Sequence, residues 1–436
     1  MIASDLKTSD TEPETGGAFR AADSDGSFDR FERIAAEFGT PFYLYDAAKI
    51  ERQIETLSSL LPVSASPRLL YSFKSNPLPS VAAEMKSGGC EADLTSAGEI
   101  AAAVEAGFDL STALYGGPGK SLEELLFAVG SGIRHFSVES EHDLATLRSA
   151  AAEHEATVKG LLRINPLEAP RAKLSMSGVA SQFGFEEEEL RSRGREILER
   201  AGDAVSIVGV HVYWGTQIGD PGALLDCFSR TVKIAEKLSV ELGFALDIVN
   251  FGGGFPWPYS HVGEGPDLSP LREGLERLHA ESGLAGDAEW WFESGRYLAA
   301  PSGTLVARVM DVKVSKDEKR YLVLDTGIHH LGGMAGLGRI PRFSIDLEVS
   351  PGRRSNPTSV YDVVGQLCTP LDCIGRRIEI PTLEIGDLVA IPNTGAYGPT
   401  ASVSGFLSRP SPAEVLHRDG EILAVHRLNT GHSCLQ

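Results

Sequence analysis

Tyr71-Ser-Phe-Lys-Ser-Asn-Pro77 decides how this chain is read. The apolar run Leu69–Phe73 reads as a buried strand, yet it leads straight into a charge, Lys74. A strand aimed into a core rarely ends that way. Burial lowers the pKa of a lysine and makes its amine nucleophilic, which is how Schiff-base lysines arise. Taken alone, Lys74 is more readily explained as a surface lysine at a strand-to-helix turn. Its neighbours along the chain change that balance.

Outward from Lys74, short apolar runs alternate with helical patterns from about residue 68 to 300. The strand candidates are Leu69–Phe73, Glu91–Leu94, Ala113–Tyr115, His135–Val138, Val158–Ile164, Ile207–Tyr213, Ala245–Phe251 and Trp290–Glu293. Between them lie helix-like stretches such as Ser96–Ala106, Ser121–Val129, Glu141–Glu153, Glu186–Arg200, Ala223–Leu242 and Leu271–Glu281. Strands alternating with helices imply parallel pairing, and about eight such units have the size of a (β/α)8 barrel. A doubly wound open sheet is the structural alternative. After about Ala300 the texture changes to strands without long amphipathic helices: Thr304–Val314, Arg320–Asp325, Arg342–Val349, Ser359–Val364, Leu388–Ile391 and Ile422–Val425. The fold expected is α/β, a barrel followed by a C-terminal all-β domain. The strand Pro41–Tyr45 precedes the barrel and is expected to pair with that domain. The boundaries read as a disordered tail over 1–28, a barrel over 46–300, a β domain from 38–45 with 301–425, and a second tail over 426–436.

Composition narrows the function. A net charge of −20 over 436 residues argues against nucleic-acid backbones and anionic membranes, which need clustered cations. No run of about 18 apolar residues is present, so no membrane span is expected. The N-terminal stretch lacks the basic-then-apolar pattern of a secretion signal. The five cysteines, Cys90, Cys227, Cys368, Cys373 and Cys434, form no CxxC pair, which disfavours zinc and disulfide frameworks and fits a reducing cytoplasm. Tyr115-Gly-Gly-Pro-Gly-Lys-Ser121 resembles a phosphate-binding loop but fails the pattern, because the first glycine would fall on Leu114. His329-His330 is disfavoured as a metal site, since adjacent strand residues point to opposite faces.

Barrel enzymes carry their chemistry at the C-terminal ends of strands. Here those ends hold Lys74, Asp93, Arg163, His211 with Tyr213 and Thr216, the run Gly252-Gly253-Gly254, and Glu293-Ser-Gly295-Arg296. A glycine run exposes backbone N–H groups that can cradle an anion, although a plain turn is the commoner use. Gly295 and Arg296 come from the next strand end and add a cation, where barrels often bind phosphate. Glu293 closes the apolar run Trp290-Trp-Phe292 and needs a cationic or protonated partner. That partner is either Arg296, at helical spacing, or a pyridine nitrogen. Cys368, in Gly365-Gln-Leu-Cys-Thr-Pro-Leu-Asp372, is by itself most simply a small buried hydrophobe.

Together, Tyr-Ser-Phe-Lys74-Ser-Asn, Gly-Gly-Gly254, Glu293-Ser-Gly-Arg296, Cys368-Thr-Pro-Leu-Asp372 and Gly-Ala-Tyr397 resemble the fold-type III pyridoxal-phosphate (PLP) decarboxylases of amino acids, which include the diaminopimelate, ornithine and arginine enzymes. The resemblance spans roughly residues 38 to 412. It implies an alanine-racemase-like barrel with a β domain, in a homodimer whose active sites are shared. Lys74 would carry the cofactor as a Schiff base, with Asp93 and His211 close by. Gly252, Gly253, Gly254, Gly295, Arg296 and Thr216 would surround the phosphate, Glu293 would pair with the pyridinium, and Tyr397 would close the site. Cys368 would enter from the partner subunit and protonate the product carbon.

Two positions depart from the family. The residue that stacks on the cofactor ring is often histidine, and here it is Tyr213. Members acting on basic amino acids carry Asp or Glu directly after the motif cysteine, and here Thr369 stands there, which disfavours lysine, ornithine and diaminopimelate. Cys-Thr-Pro-Leu-Asp, Asp325-Thr-Gly-Ile-His-His330 and Phe406-Leu-Ser-Arg-Pro410 are similar to a biosynthetic branch, some of whose members decarboxylate glutamyl groups attached to a carrier protein. The expectation is therefore a decarboxylase of a modified, acylated or carrier-attached amino acid. Arg163, Thr369, and Arg339 or Arg342 are the expected substrate contacts. Decarboxylation of free diaminopimelate or another free amino acid, a racemase or epimerase on the same fold, and a non-catalytic regulatory relative are the competing functions. A racemase needs a base to remove the α proton, whereas the Cys368 motif favours decarboxylation, and a non-catalytic relative loses the lysine or phosphate contacts.

Overall fold

The computed structural model describes residues 19–21, 26–166, 181–284, 288–332 and 344–429. Eight parallel strands form a closed barrel: β1 (Arg68–Ser72), β2 (Glu91–Leu94), β3 (Leu114–Tyr115), β4 (His135–Val138), β5 (Val158–Asn165), β6 (Val205–Val212), β7 (Ile248–Asn250) and β8 (Glu289–Ser294). Each pairs with the next in sequence, and β8 returns to β1, which excludes the open doubly wound sheet. The two-residue strand Phe185–Glu186 is added beside the end of β5. Helices on the outside start where the sequence caps them. Ser96, Ser121, Ser140 and Asp220 each accept a backbone N–H of the first turn.

The inward face of the barrel changes character along each strand. Leu70, Leu114, Leu161, Val208, Ile248 and Trp291 pack together as an apolar layer. Two residues further on, the same faces carry Ser72, Arg163, Asn250 and Glu293, because strand side chains alternate with period two. On β6 the pairing steps from Ile207 to Gly209, and this bulge lets both Val208 and His211 face inward. The polar layer therefore lies at the C-terminal rim.

The second body is a β sheet built from both ends of the chain. Phe42–Asp46 lies between Gly303–Val314, antiparallel, and Ala413–Arg418, parallel. The long strands Cys373–Pro381 and Ala413–Arg418 carry polar residues and turn signals that hid them from an apolar-run reading. Near the N-terminus, Phe19–Ala21 pairs with Leu347–Val349, inside the stretch read from composition as tail. Backbone pairing needs no apolar sequence, so composition alone misses such a strand. The helix Ser27–Phe38 follows, and its Phe28, Phe31 and Ile34 pack on Phe42, Val306 and Val415. Glu421–Arg427 also carries a strand two residues into the stretch read as a second tail. No helix among the described residues is long and apolar enough to cross a membrane.

Candidate active site

Lys74 lies in the single turn Phe73–Ser75 directly after β1. It faces a pocket open to solvent between the barrel rim and the β domain. At the end of β2, Asp93 Oδ2 accepts the Ser72 hydroxyl at 2.7 Å. Crowding by protein would by itself lower the Lys74 pKa, but Asp93 and then Glu293 outweigh it and hold the amine above the ordinary lysine range. Asp93 is pushed up to about 6, by burial first and by the Glu293 charge second, with Lys74 pulling the other way.

The pocket brings together residues from four strand ends and the second domain. Tyr213 and Thr216 follow β6, Gly253 and Gly254 follow β7, and Ser294, Gly295 and Arg296 end or follow β8. Tyr397 closes the opposite side. The Lys74 amine stands 5.7 Å from the Tyr213 ring centre. Burial raises the Tyr213 pKa despite the opposing Lys74 charge, so its phenol stays neutral.

One wall of this pocket is built for an anion. A Cβ on Gly253 would stand 2.9 Å from the Glu293 carbonyl oxygen, and one on Gly295 would stand 2.8 Å from Ser75 Cβ. Only glycine lets these backbones approach so closely. Ser294 Oγ and Arg296 Nε are buried beside them without a partner among the described residues. The Arg296 guanidinium is held over two rings, 4.7 Å from Tyr397 and 5.2 Å from Tyr259. Unmatched donors next to a bare backbone loop fit a phosphate group. Gly252 is different: its N–H donates to Asn250 Oδ1 at 2.8 Å, so it is already engaged and lies outside the pocket lining.

Glu293 Oε1 accepts from Asn250 Nδ2 at 2.9 Å and lies 3.3 Å from His211 Nε2. The pairing of Glu293 with Arg296 that their spacing allows is absent among the described residues. His211 lies beneath Glu293 rather than in the pocket wall, and burial, then the Arg163 charge, holds its pKa well below the usual range. Arg163 pairs with Glu139 at 2.6 Å and lines a separate small cleft behind Tyr213, with Asn165 and Phe183. Its charge is therefore matched inside the barrel.

Cys368 and Thr369 occupy the turn between Thr358–Val364 and Cys373–Pro381. Cys368 is exposed and does not line the Lys74 pocket of its own chain. Arg339 and Arg342 lie outside the described residues. Sequence reasoning passed over Asn250, Ser294, Ser72 and Tyr259. The first two had a visible signal, an amide ending the apolar Ile248-Val-Asn250 and a hydroxyl inside the quoted Glu-Ser-Gly-Arg. The other two are recognisable only from their contacts.

A rim lysine near two carboxylates, facing a glycine wall with unmatched donors, on a barrel with an appended β domain, fits a PLP enzyme. Residues 47–300 match the family described as pyridoxal-dependent decarboxylase, pyridoxal binding domain, and the chain belongs to that family. It is 32% identical over 409 residues to the L-glutamyl-[BtrI acyl-carrier protein] decarboxylase of Niallia circulans, covering 91% of this chain and 93% of that one. It is also 32% identical over 390 residues to the diaminopimelate decarboxylase of Archaeoglobus fulgidus, covering 88% and 89%. Among solved structures, diaminopimelate decarboxylase from Helicobacter pylori, complexed with L-lysine, superposes with a TM-score of 0.78 at 27% identity, over 91% of this chain and 95% of that one. The protein is a PLP-dependent amino-acid decarboxylase.

Proposed function

We propose that the enzyme removes the α-carboxylate of an amino-acid unit attached to a carrier protein or otherwise acylated, a glutamyl group being the first to test. Bound through Lys74, PLP supplies an electron sink for the pair left behind when CO2 departs. The chain's own residues do the rest. Ser294, Arg296, Thr216 and the backbone of Gly253 and Gly254 hold the phosphate, and Tyr213 flanks the ring. The Glu293 carboxylate would hold a proton on the ring nitrogen, so that the ring can take up negative charge. In a homodimer, Cys368 reaches in from the partner subunit and donates its thiol proton to the α carbon. Tyr397 shields that carbon from water.

The observation that carries the substrate reading is at Thr369. A free basic amino acid needs a carboxylate for its distal ammonium, and the residue after Cys368 is neutral. The acid nearest in sequence, Asp372, is no substitute. Its Oδ1 accepts the Ile328 N–H at 2.9 Å and its Oδ2 the Leu367 N–H at 2.7 Å. The Niallia circulans relative, named for a carrier-protein substrate, supports the same reading. Free diaminopimelate is the second reading, favoured by the equal identity to the Archaeoglobus enzyme.

Two measurements test this. Borohydride reduction of the holoenzyme should fix the cofactor on the peptide containing Lys74, and label on another lysine would overturn the site. Mass spectrometry after incubation with glutamyl-carrier protein and with free diaminopimelate should show CO2 loss from the first. Loss from diaminopimelate alone would select the second reading.

A further inference from the structure

We infer that His211, oriented by Ser137, is a positioning residue for Glu293. It sets the direction of that carboxylate while leaving its charge intact. The inference rests on the reading of Glu293 as the partner of the cofactor's ring nitrogen.

The hydrogen-bond directions around Asn250 are fixed by elimination. The Gly252 N–H can only donate, so the atom of Asn250 that receives it is the amide oxygen, and the amide nitrogen is left to donate to Glu293 Oε1. Both fixed neighbours of Glu293, Asn250 and His211, meet that same oxygen. Among the described residues Oε2 accepts no hydrogen bond, and Glu293 lines the pocket. The carboxylate is thus clamped by one oxygen from below and presents the other upward.

His211 Nδ1 stands 2.9 Å from Ser137 Oγ on β4. The Ser137 hydroxyl has no other partner among the described residues, whereas its carbonyl oxygen accepts from Lys120 Nζ at 3.0 Å. A hydroxyl donating to Nδ1 selects the tautomer that carries its proton on Nε2, the nitrogen that faces Glu293. At 3.3 Å, with no aligned hydrogen bond formed, that N–H is close enough to align by a small movement of the carboxylate.

Neutrality is the point of using an imidazole here. An imidazolium under Glu293 would compete with a protonated ring nitrogen for the same negative charge. Burial first, then the charges of Arg163, Lys74 and Lys120, opposes protonation of His211, while Glu139, which favours it, is itself paired with Arg163. The donor therefore orients Glu293 and leaves its full charge to the ring nitrogen.

The test is the protonation state of the ring nitrogen, read by 15N NMR of holoenzyme carrying ring-labelled PLP, with the rate of cofactor release read in parallel. Glu293→Gln is the control for the underlying reading. If that variant keeps a protonated ring nitrogen, Glu293 is not its partner and both readings fall. With the control behaving as expected, His211→Phe should shift the labelled nitrogen toward the deprotonated position. It should also lower kcat by about tenfold or more, the factor for losing a hydrogen bond to a charged group, with KM little changed. Ser137→Ala keeps the imidazole but frees its tautomer, and should move the same resonance part of the way. A resonance unmoved in both His211→Phe and Ser137→Ala would show that His211 is only packing and overturn the inference. Should His211→Phe fail to fold, the Ser137→Ala spectrum alone decides, shifted in support or unshifted against.

Discussion

The Tyr397 backbone N–H donates to the Ser75 carbonyl oxygen at 2.6 Å, which ties the β domain to the turn that carries Lys74. The bond holds Tyr397 at φ 54°, a left-handed conformation that a bulky residue rarely adopts. It also places the Tyr397 ring 4.7 Å from the Arg296 guanidinium. Replacing Tyr397 by Ala removes that ring from beside Arg296. Equilibrium PLP titration should show binding weakened by about tenfold, within the range of a desolvated cation–π contact. Tyr397→Phe keeps the ring and should bind PLP nearly as well as the parent. Equal losses in the two variants would point to the hydroxyl instead.

The proposed sharing of active sites across a homodimer gives a second prediction. Lys74→Ala and Cys368→Ala should each be nearly inactive. Mixed and allowed to exchange subunits, they should recover about a quarter of the parent activity, because half the dimers are mixed and each of those holds one intact site. No recovery despite proven subunit exchange would place both residues in one chain's site.

Substrate choice at the Cys368 turn is open to reversal. Thr369→Asp supplies the carboxylate that a distal ammonium requires. It should raise kcat/KM for free diaminopimelate by about tenfold, the value of a charge-assisted hydrogen bond, and lower it for a glutamyl-carrier substrate. Steady-state kinetics on both substrates checks this, and an unchanged ratio would remove Thr369 from substrate selection.

A pH effect on stability comes from Glu414, which does not line the Lys74 pocket. It is buried, accepts the Tyr45 hydroxyl at 2.9 Å, and its pKa is pushed up to about 7 by burial, against the opposing Tyr45 hydrogen bond. The folded chain keeps this proton up to about pH 7, whereas an unfolded Glu releases it near its model value of 4.5. Folding therefore binds more protons in that window, and the Glu414 contribution to stability falls as pH rises through it. Glu414→Gln should match the parent below the window and exceed it above, by on the order of 3 kcal/mol. Thermal melts at either end of the window check this. An equal difference at both pH values would remove Glu414 as the source.

Much of this was legible before any coordinates. Strand period and helix caps located the eight barrel units, because both depend on residues close in sequence. Lys74, Glu293 and Arg296 stood out because each is a polar residue ending an apolar run or next to a close-approach glycine. Ser137 was invisible in the same reading, since it works through a contact with a strand far away in sequence. The strand Ala413–Arg418 escaped for a similar reason: its pairing with Phe42–Asp46 joins the two ends of the chain.

By itself, then, the sequence determined the barrel and singled out Lys74, the glycines and Arg296 at its rim, because local periodicity and residue chemistry encode them directly. Only the tertiary structure decided that Gly252 is engaged by Asn250, that Arg163 is matched by Glu139, and that Glu293 is clamped by one oxygen over His211. Those are questions of which buried donor meets which acceptor. A closed barrel answers them by bringing strands far apart in sequence within 3 Å or so of one another, where each polar group must find a partner or remain unmatched.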